Sequence, residues 1–206
     1  MIMKPSCLLV LAALGLLCAC VPSVNPFYTD KDVLTDARLT GTWVETGKKE
    51  RAAIWNFETP TNNAYAMALK DDDGKTGKFE GHLFKLENKS GKNSEKELFL
   101  DVTPTECNFD DKQAGLLNCA MLPGHLLFRV KLEDGRMSMA ACNPDWIKKF
   151  LEKDPAAITH RVVNDAVILT ADTLTLQQFV RQHLGKDELF GDFVEYQRLT
   201  AATPGK

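Results

Sequence analysis

The chain has 206 residues, with 25 Lys and Arg against 28 Asp and Glu and a net charge of −3 at pH 7. That acidic balance argues against nucleic acid as a partner, and the absence of a polybasic patch argues against electrostatic attachment to a membrane. The length suits one domain, and no apolar run beyond the first twenty residues is long enough to span a bilayer.

Lys4 precedes an uncharged run from Cys7 to Cys18, too short to cross a membrane and of the length of a signal-peptide core. Leu17-Cys18-Ala19-Cys20 closes that run. This closing stretch resembles the lipobox of bacterial lipoproteins. The resemblance implies that residues 1–19 are a signal peptide cut after Ala19. It implies that Cys20 carries a thioether diacylglycerol and an N-acyl chain such as palmitate, which together anchor stably where one chain does not. In Gram-negative lipoproteins an Asp after the cysteine favours inner-membrane retention. Val21 stands there, so the expected address is the outer membrane, facing the periplasm. The alternative is an ordinary secretory signal, with Cys20 a plain thiol.

Residues 20–38 read as the lipidated cysteine and a tether, because Pro22 and Pro26 discourage regular structure. Some fifteen extended residues would reach about 50 Å, with Phe27 and Tyr28 limiting the extension by resting on the body. From residue 39 to 200 the chain reads as one β-rich domain, and 201–206 as a frayed tail. Period-two patterning predicts strands at 42–46, 51–58, 64–70, 78–86, 96–102, 126–132 and 136–142, joined by Gly-, Asn- and Asp-rich turns. Asn143-Pro144-Asp145 predicts a helix start, and Asp154-Pro155 its end. A hairpin turning at Asn164-Asp165 follows, then a helix capped by Asp172 or Thr173 and ending at Gly185, then a last strand over 193–199. The expected fold is mainly β with two late helices: an antiparallel meander of about nine or ten strands, closed as a barrel or strongly curved because bare edges invite pairing with other chains.

Cys107, Cys119 and Cys142 lie in the body. In an oxidising compartment one disulfide is expected. Cys107–Cys119 is the favoured pair, worth about 2–3 kcal/mol on loop entropy; a Cys142 pairing and three reduced thiols are the alternatives.

Gly41-Thr42-Trp43 resembles the Gly-x-Trp start of lipocalins. The resemblance implies that Trp43 plugs the closed end of an eight-stranded barrel. It also implies that Arg198, in the last strand, stacks over Trp43 in a cation–π contact of about 0.5–2 kcal/mol. Two helices before the last strand depart from the lipocalin pattern. Cys20-Val21-Pro22-Ser23-Val24-Asn25-Pro26-Phe27-Tyr28-Thr29, Gly41-Thr42-Trp43 and Leu169-Thr170-Ala171-Asp172-Thr173 together resemble a group of uncharacterised bacterial lipoproteins. That resemblance implies no activity and no catalytic residues.

Gly74-Lys75-Thr76 lacks the earlier glycine of a phosphate loop, since Leu69 stands in its place, and Asp71-Asp72-Asp73 lacks the spacing and distal Glu of a Ca²⁺ loop. A solvated turn is expected there. His82, His125, His160 and His183 share no metal-ligand spacing, and no nucleophile motif is present. The sequence therefore points to a non-enzymatic envelope lipoprotein with no cofactor and no metal. Its expected role is protein–protein interaction or envelope structure. The alternatives are a small apolar ligand or lipid held by inward-facing Trp55, Tyr65, Met67, Phe79, Phe128, Met137 and Met139, or a hydrolase.

Overall fold

The computed structural model describes residues 21–48, 52–88, 95–106, 124–184 and 188–199. In chain order the elements are β1 (Pro22–Ser23), β2 (Gly41–Glu45), β3 (Ile54–Phe57), β4 (Tyr65–Lys70), β5 (Thr76–Asn88), β6 (Glu95–Pro104), β7 (His125–Glu133), β8 (Arg136–Ala141), α1 (Pro144–Lys153), β9 (His160–Val163), β10 (Ala166–Leu169), α2 (Thr173–His183) and β11 (Val194–Arg198). The fold is mainly β with two late helices, as the patterning predicts. The described residues form eleven strands, and the strand not foreseen is β1.

Strands β2 to β8 are each antiparallel to the next. β11 pairs with both β8 and β2, which closes an eight-stranded barrel. Local sequence sets the turns. Asn164 and Asp165 adopt φ of 48° and 65°, the pair of left-handed residues that a two-residue hairpin matching strand twist requires. Asp71 staples the β4–β5 turn by accepting the Lys75 N–H at 2.7 Å, so the Asp-rich stretch is turn chemistry. Asn143 caps α1 by accepting from Asp145 N and Trp146 N, and Asp172 caps α2 by accepting from Thr175 N.

Alternation along the strands builds two cores from one sheet. Inward residues such as Trp43, Tyr65, Leu83, Leu100, Val130 and Met137 fill the barrel. Outward residues Phe84, Leu86, Phe99, Leu127 and Ala140 form a second core with Ile147 and Leu151 of α1, Leu176, Phe179 and Val180 of α2, and Val167 and Leu169 of β10. The chain between β8 and β11 thus covers the barrel's flank before returning to close it.

The segment read as a tether rests on the body at Phe27 and Tyr28, as expected, and is also packed before and after them. Val21 and Phe27 are 2% and 1% exposed, and Ser23 is fully buried. The cause lies in the unequal lengths of the strands. β8 pairs with β7 only as far as Phe128, and β4 pairs with β5 only from Thr76 to Gly81, so both long strands would be left with a bare edge. The N-terminal segment takes those edges. Pro22 and Ser23 pair with Leu126 and His125 of β7, and Val33 bridges to Phe84 of β5. Between them it crosses β6, where the Phe27 N–H donates to Asp101 Oδ2 at 2.8 Å. From α2, Gln177 Nε2 donates to Phe27 O (3.0 Å) and Asp32 Oδ2 (2.8 Å), pinning this strap from outside. Pro22 lies within β1, and Pro26 lies between β1 and the Val33 bridge, outside any strand. Phe27→Ala is expected to cost about 3–5 kcal/mol, read as a lowered urea midpoint. An unchanged midpoint would mean that the strap is not part of the cooperative fold.

Candidate functional site

One end of the barrel is closed by the lead-in to β2. Leu34 N–H donates to Leu83 O on β5 (2.8 Å). Asp36 N–H donates to the Tyr65 hydroxyl on β4 (2.7 Å), which in turn donates to Asp36 O. Arg38 reaches Leu132 O on β7 (3.3 Å). The segment therefore spans the opening and ends in a turn over residues 37–39. Beneath it Trp43 is fully buried, with its indole N–H donating to Leu39 O at 2.8 Å. Arg198 lies opposite Trp43 in the β11–β2 register, and its guanidinium stands 4.8 Å from the Trp43 ring centroid. Arg198 also donates to Arg38 O, so one side chain ties the last strand to the lead-in. Gly41, at φ +124°, runs its backbone alongside the Arg198 stem, 3.8 Å from where a Cβ would stand. The structure thus places Trp43 and Arg198 face to face at this closed end.

The seven expected lining residues all point inward and are brought together. Trp55, Tyr65, Met67, Met137 and Met139 are buried at 6% exposure or less, whereas Phe79 and Phe128 are half-buried. Trp55 is ringed by Phe57, Phe79 and Phe128 at centroid distances of 6.0 to 6.3 Å. Gly81 leaves room for Met67, whose sulfur occupies the place a Cβ would take. The interior of this barrel is filled by its own side chains. At the end away from Trp43, half-buried Leu69, Phe79, Leu126 and Phe128 form an apolar lip.

Outside the barrel, beneath the strap, Asp101 is 1% exposed. Its Oδ1 lies 2.8 Å from His125 Nδ1, and Thr103 Oγ1 lies 3.0 Å from the same nitrogen. A hydroxyl–His–Asp relay needs the hydroxyl and the carboxylate on opposite ring nitrogens. Here both meet Nδ1, so the trio fastens β6 to β7 rather than activating Thr103. Sequence reading passed over Asp101, although a carboxylate in the otherwise apolar run 98–102 was a usable signal. The other histidines are also structural in their contacts. His82 stacks on Tyr28 at 4.4 Å, His160 Nδ1 meets Ile158 O, and His183 meets Phe179 O and the rings of Trp146 and Phe150. Among the described residues no group of three or more His, Cys, Asp or Glu side chains converges on a metal-sized site. Cys142 is buried just before α1, while Cys20, Cys107 and Cys119 lie outside the described residues.

A surface cleft of about 580 Å³ is lined by Lys31, Lys85, Lys96 and Arg181 with Asp32 and Glu87. Its lining carries four cations against two carboxylates. Lys96 pairs with Glu87 at 3.2 Å. Burial would raise the Asp32 carboxyl, but hydrogen bonds from Thr29 and Gln177 and the nearby Arg181 outweigh it and hold it below its ordinary value. Two further clefts, of about 320 and 400 Å³, lie on the outer faces of β3–β5 and of β7, β8 and β11.

No protein-family model, curated protein or solved structure matches the chain. What the structure defines is the class: a closed eight-stranded antiparallel β-barrel, carrying a three-stranded extension and two helices on its flank.

Replacing Arg198 by Met keeps the aliphatic stem and removes the cation. Arg198→Met is expected to lower stability by about 1–2 kcal/mol, against about 3–5 kcal/mol for Trp43→Ala, both by chemical denaturation. No loss in Arg198→Met would make the stacking incidental. The three tyrosines give a pH dependence. Burial, then the Asp101, Glu80 and Asp30 carboxylates, push the Tyr28 phenol up to about 12, and burial also raises Tyr65 and Tyr196. A raised folded-state value stabilises fully below the unfolded value near 10 and is lost as pH climbs through the folded one. The urea midpoint should therefore fall between pH 10 and 12, and less steeply in Tyr28→Phe. Parallel slopes in the two proteins would refute the assignment to Tyr28.

Proposed function

We propose that this protein is a lipid-anchored envelope lipoprotein, acylated at Cys20, whose barrel is a solid scaffold. On this reading it acts by presenting its outer surfaces to a protein partner or to the envelope rather than by catalysis. It is held at the outer membrane and faces the periplasm. The observation that carries the scaffold reading is the filled interior, in which Trp43, Tyr65, Leu83 and Leu100 have no solvent exposure. Binding surfaces then lie on the flank and the ends. The lipobox resemblance supports the anchor, and among the described residues no helix is long and apolar enough to cross a membrane in its place.

A second reading has its own observation. The lip formed by Leu69, Phe79, Leu126 and Phe128 remains half-buried, and an apolar group resting there would shield it from water at about 25 cal/mol per Å² covered. On that reading the barrel end holds a small apolar molecule or a lipid chain.

Cys20→Ala is expected to move the protein from the membrane fraction to the soluble fraction. Retention in the membrane would overturn the anchor. Native mass spectrometry of the acylated protein, extracted from its own membranes, separates the two readings. A chain free of adducts supports the scaffold, and a stoichiometric apolar adduct lost in Phe128→Asp makes the ligand reading the correct one.

A further inference from the structure

The extension β1–β10–β9 has one covered face and one open face. Ser23 pairs with Leu169 in parallel register, and β10 pairs with β9 through Ala166↔Val163 and Ile168↔Arg161. Ser23, Val167 and Leu169 face the second core and are buried. By alternation, Pro22 and Val24 of the strap, Ala166 and Ile168 of β10, and Val163 and Arg161 of β9 share the other face. That face is apolar apart from Arg161. Val24 is 45% exposed and Val163 50%, and Val162, on the unpaired edge of β9, is 59% exposed. Val162 pairs with Val167 and so lies on the covered side at that edge, whereas Val24 and Val163 are exposed on the open face.

Their location points to what meets them. The chain enters the fold at Val21, which is buried. Cys20 precedes Pro22 by two residues, a reach of at most about 7 Å. A fully extended fifteen-residue tether would have let the body stand about 50 Å from its anchor; the packed strap allows no such distance. Acyl chains on Cys20 would hold the open face of this sheet at the bilayer surface, where an exposed apolar face is buried into the headgroup boundary. Arg161 on the same face suits lipid phosphate. α1 packs behind the sheet through Ile147 and Leu151, and exposes Lys148, Lys149 and Lys153 on its far side.

We infer that the open face of β1–β10–β9, carried by Val24, Val163 and Ile168, is a membrane-contact surface that fixes the orientation of the barrel on the bilayer. This rests on acylation of Cys20 and adds a second, protein-borne contact to it. The lipid meets the flank extension, while the Trp43 end and the barrel faces away from β1 stay available to other partners.

The test uses the acylated full-length protein in vesicles of phosphatidylethanolamine and phosphatidylglycerol, with a nitroxide at Val24→Cys or Val163→Cys. Lys75→Cys, in the β4–β5 turn, is the aqueous control, and the parent chain is the labelling blank. The expected result is a ratio of oxygen to nickel-complex collisions several-fold higher at 24 and 163 than at 75, falling to the control value when the vesicles are dissolved. A control-like ratio at both sites, in protein that floats with the vesicles, overturns the contact surface and leaves the anchor standing. Dipolar broadening between labels that persists without lipid would instead place a second copy of the chain on this face, and would also overturn it. Protein that does not float with vesicles refutes acylation and the inference with it.

Discussion

The fold depends on a mismatch of strand lengths and on the segment that resolves it. β5 runs for 13 residues beside a β4 of 6, and β7 for 9 beside a β8 of 6. Each excess leaves backbone donors and acceptors without partners in a region the helices bury, and an unmatched buried amide costs about 1–3 kcal/mol. The residues just after Cys20 meet that need at both edges, and Asp101 receives the strap's Phe27 N–H where it crosses between them. Because α2 closes over the strap, the helices, the strap and the barrel flank form one packed unit. A disturbance at the chain's entry point therefore reaches the second core directly.

This arrangement divides the molecule by role. The barrel interior supplies stability: aromatic rings and methionine side chains occupy it, and the cation of Arg198 seals the Trp43 end. The flank carries the covering helices and the three-stranded extension, where exposed valines collect. Buried polar groups also join the packing. Asp101 and His125 lock two strands and the strap together, and His183 is enclosed by aromatic rings in the second core.

Much of this was legible in the sequence because it is local. The period-two runs account for seven of the strands, Asn164-Asp165 for the hairpin, and Asn143-Pro144-Asp145 and Asp172 for the helix starts, since these depend on a few adjacent residues and their backbone preferences. Trp43 and Arg198 were readable as a pair only through resemblance to lipocalins; the register that sets them face to face, 155 positions apart in the chain, is a tertiary fact. The seven inward residues were likewise identified by alternation, but whether they line a space or fill it depends on how tightly the barrel winds.

What the sequence determined by itself was therefore the class of the fold, its turns and caps, and which side chains face inward, because hydrophobic period and turn chemistry act over a few residues. What only the tertiary structure decided was closure of the sheet into a barrel through β6–β7 and β11, the filling of its interior, and the conversion of a proline-bearing tether into a strap. Those outcomes follow from edges left bare by strands far apart in the chain, and a backbone hydrogen bond to a distant edge leaves no mark on the local pattern of the segment that makes it.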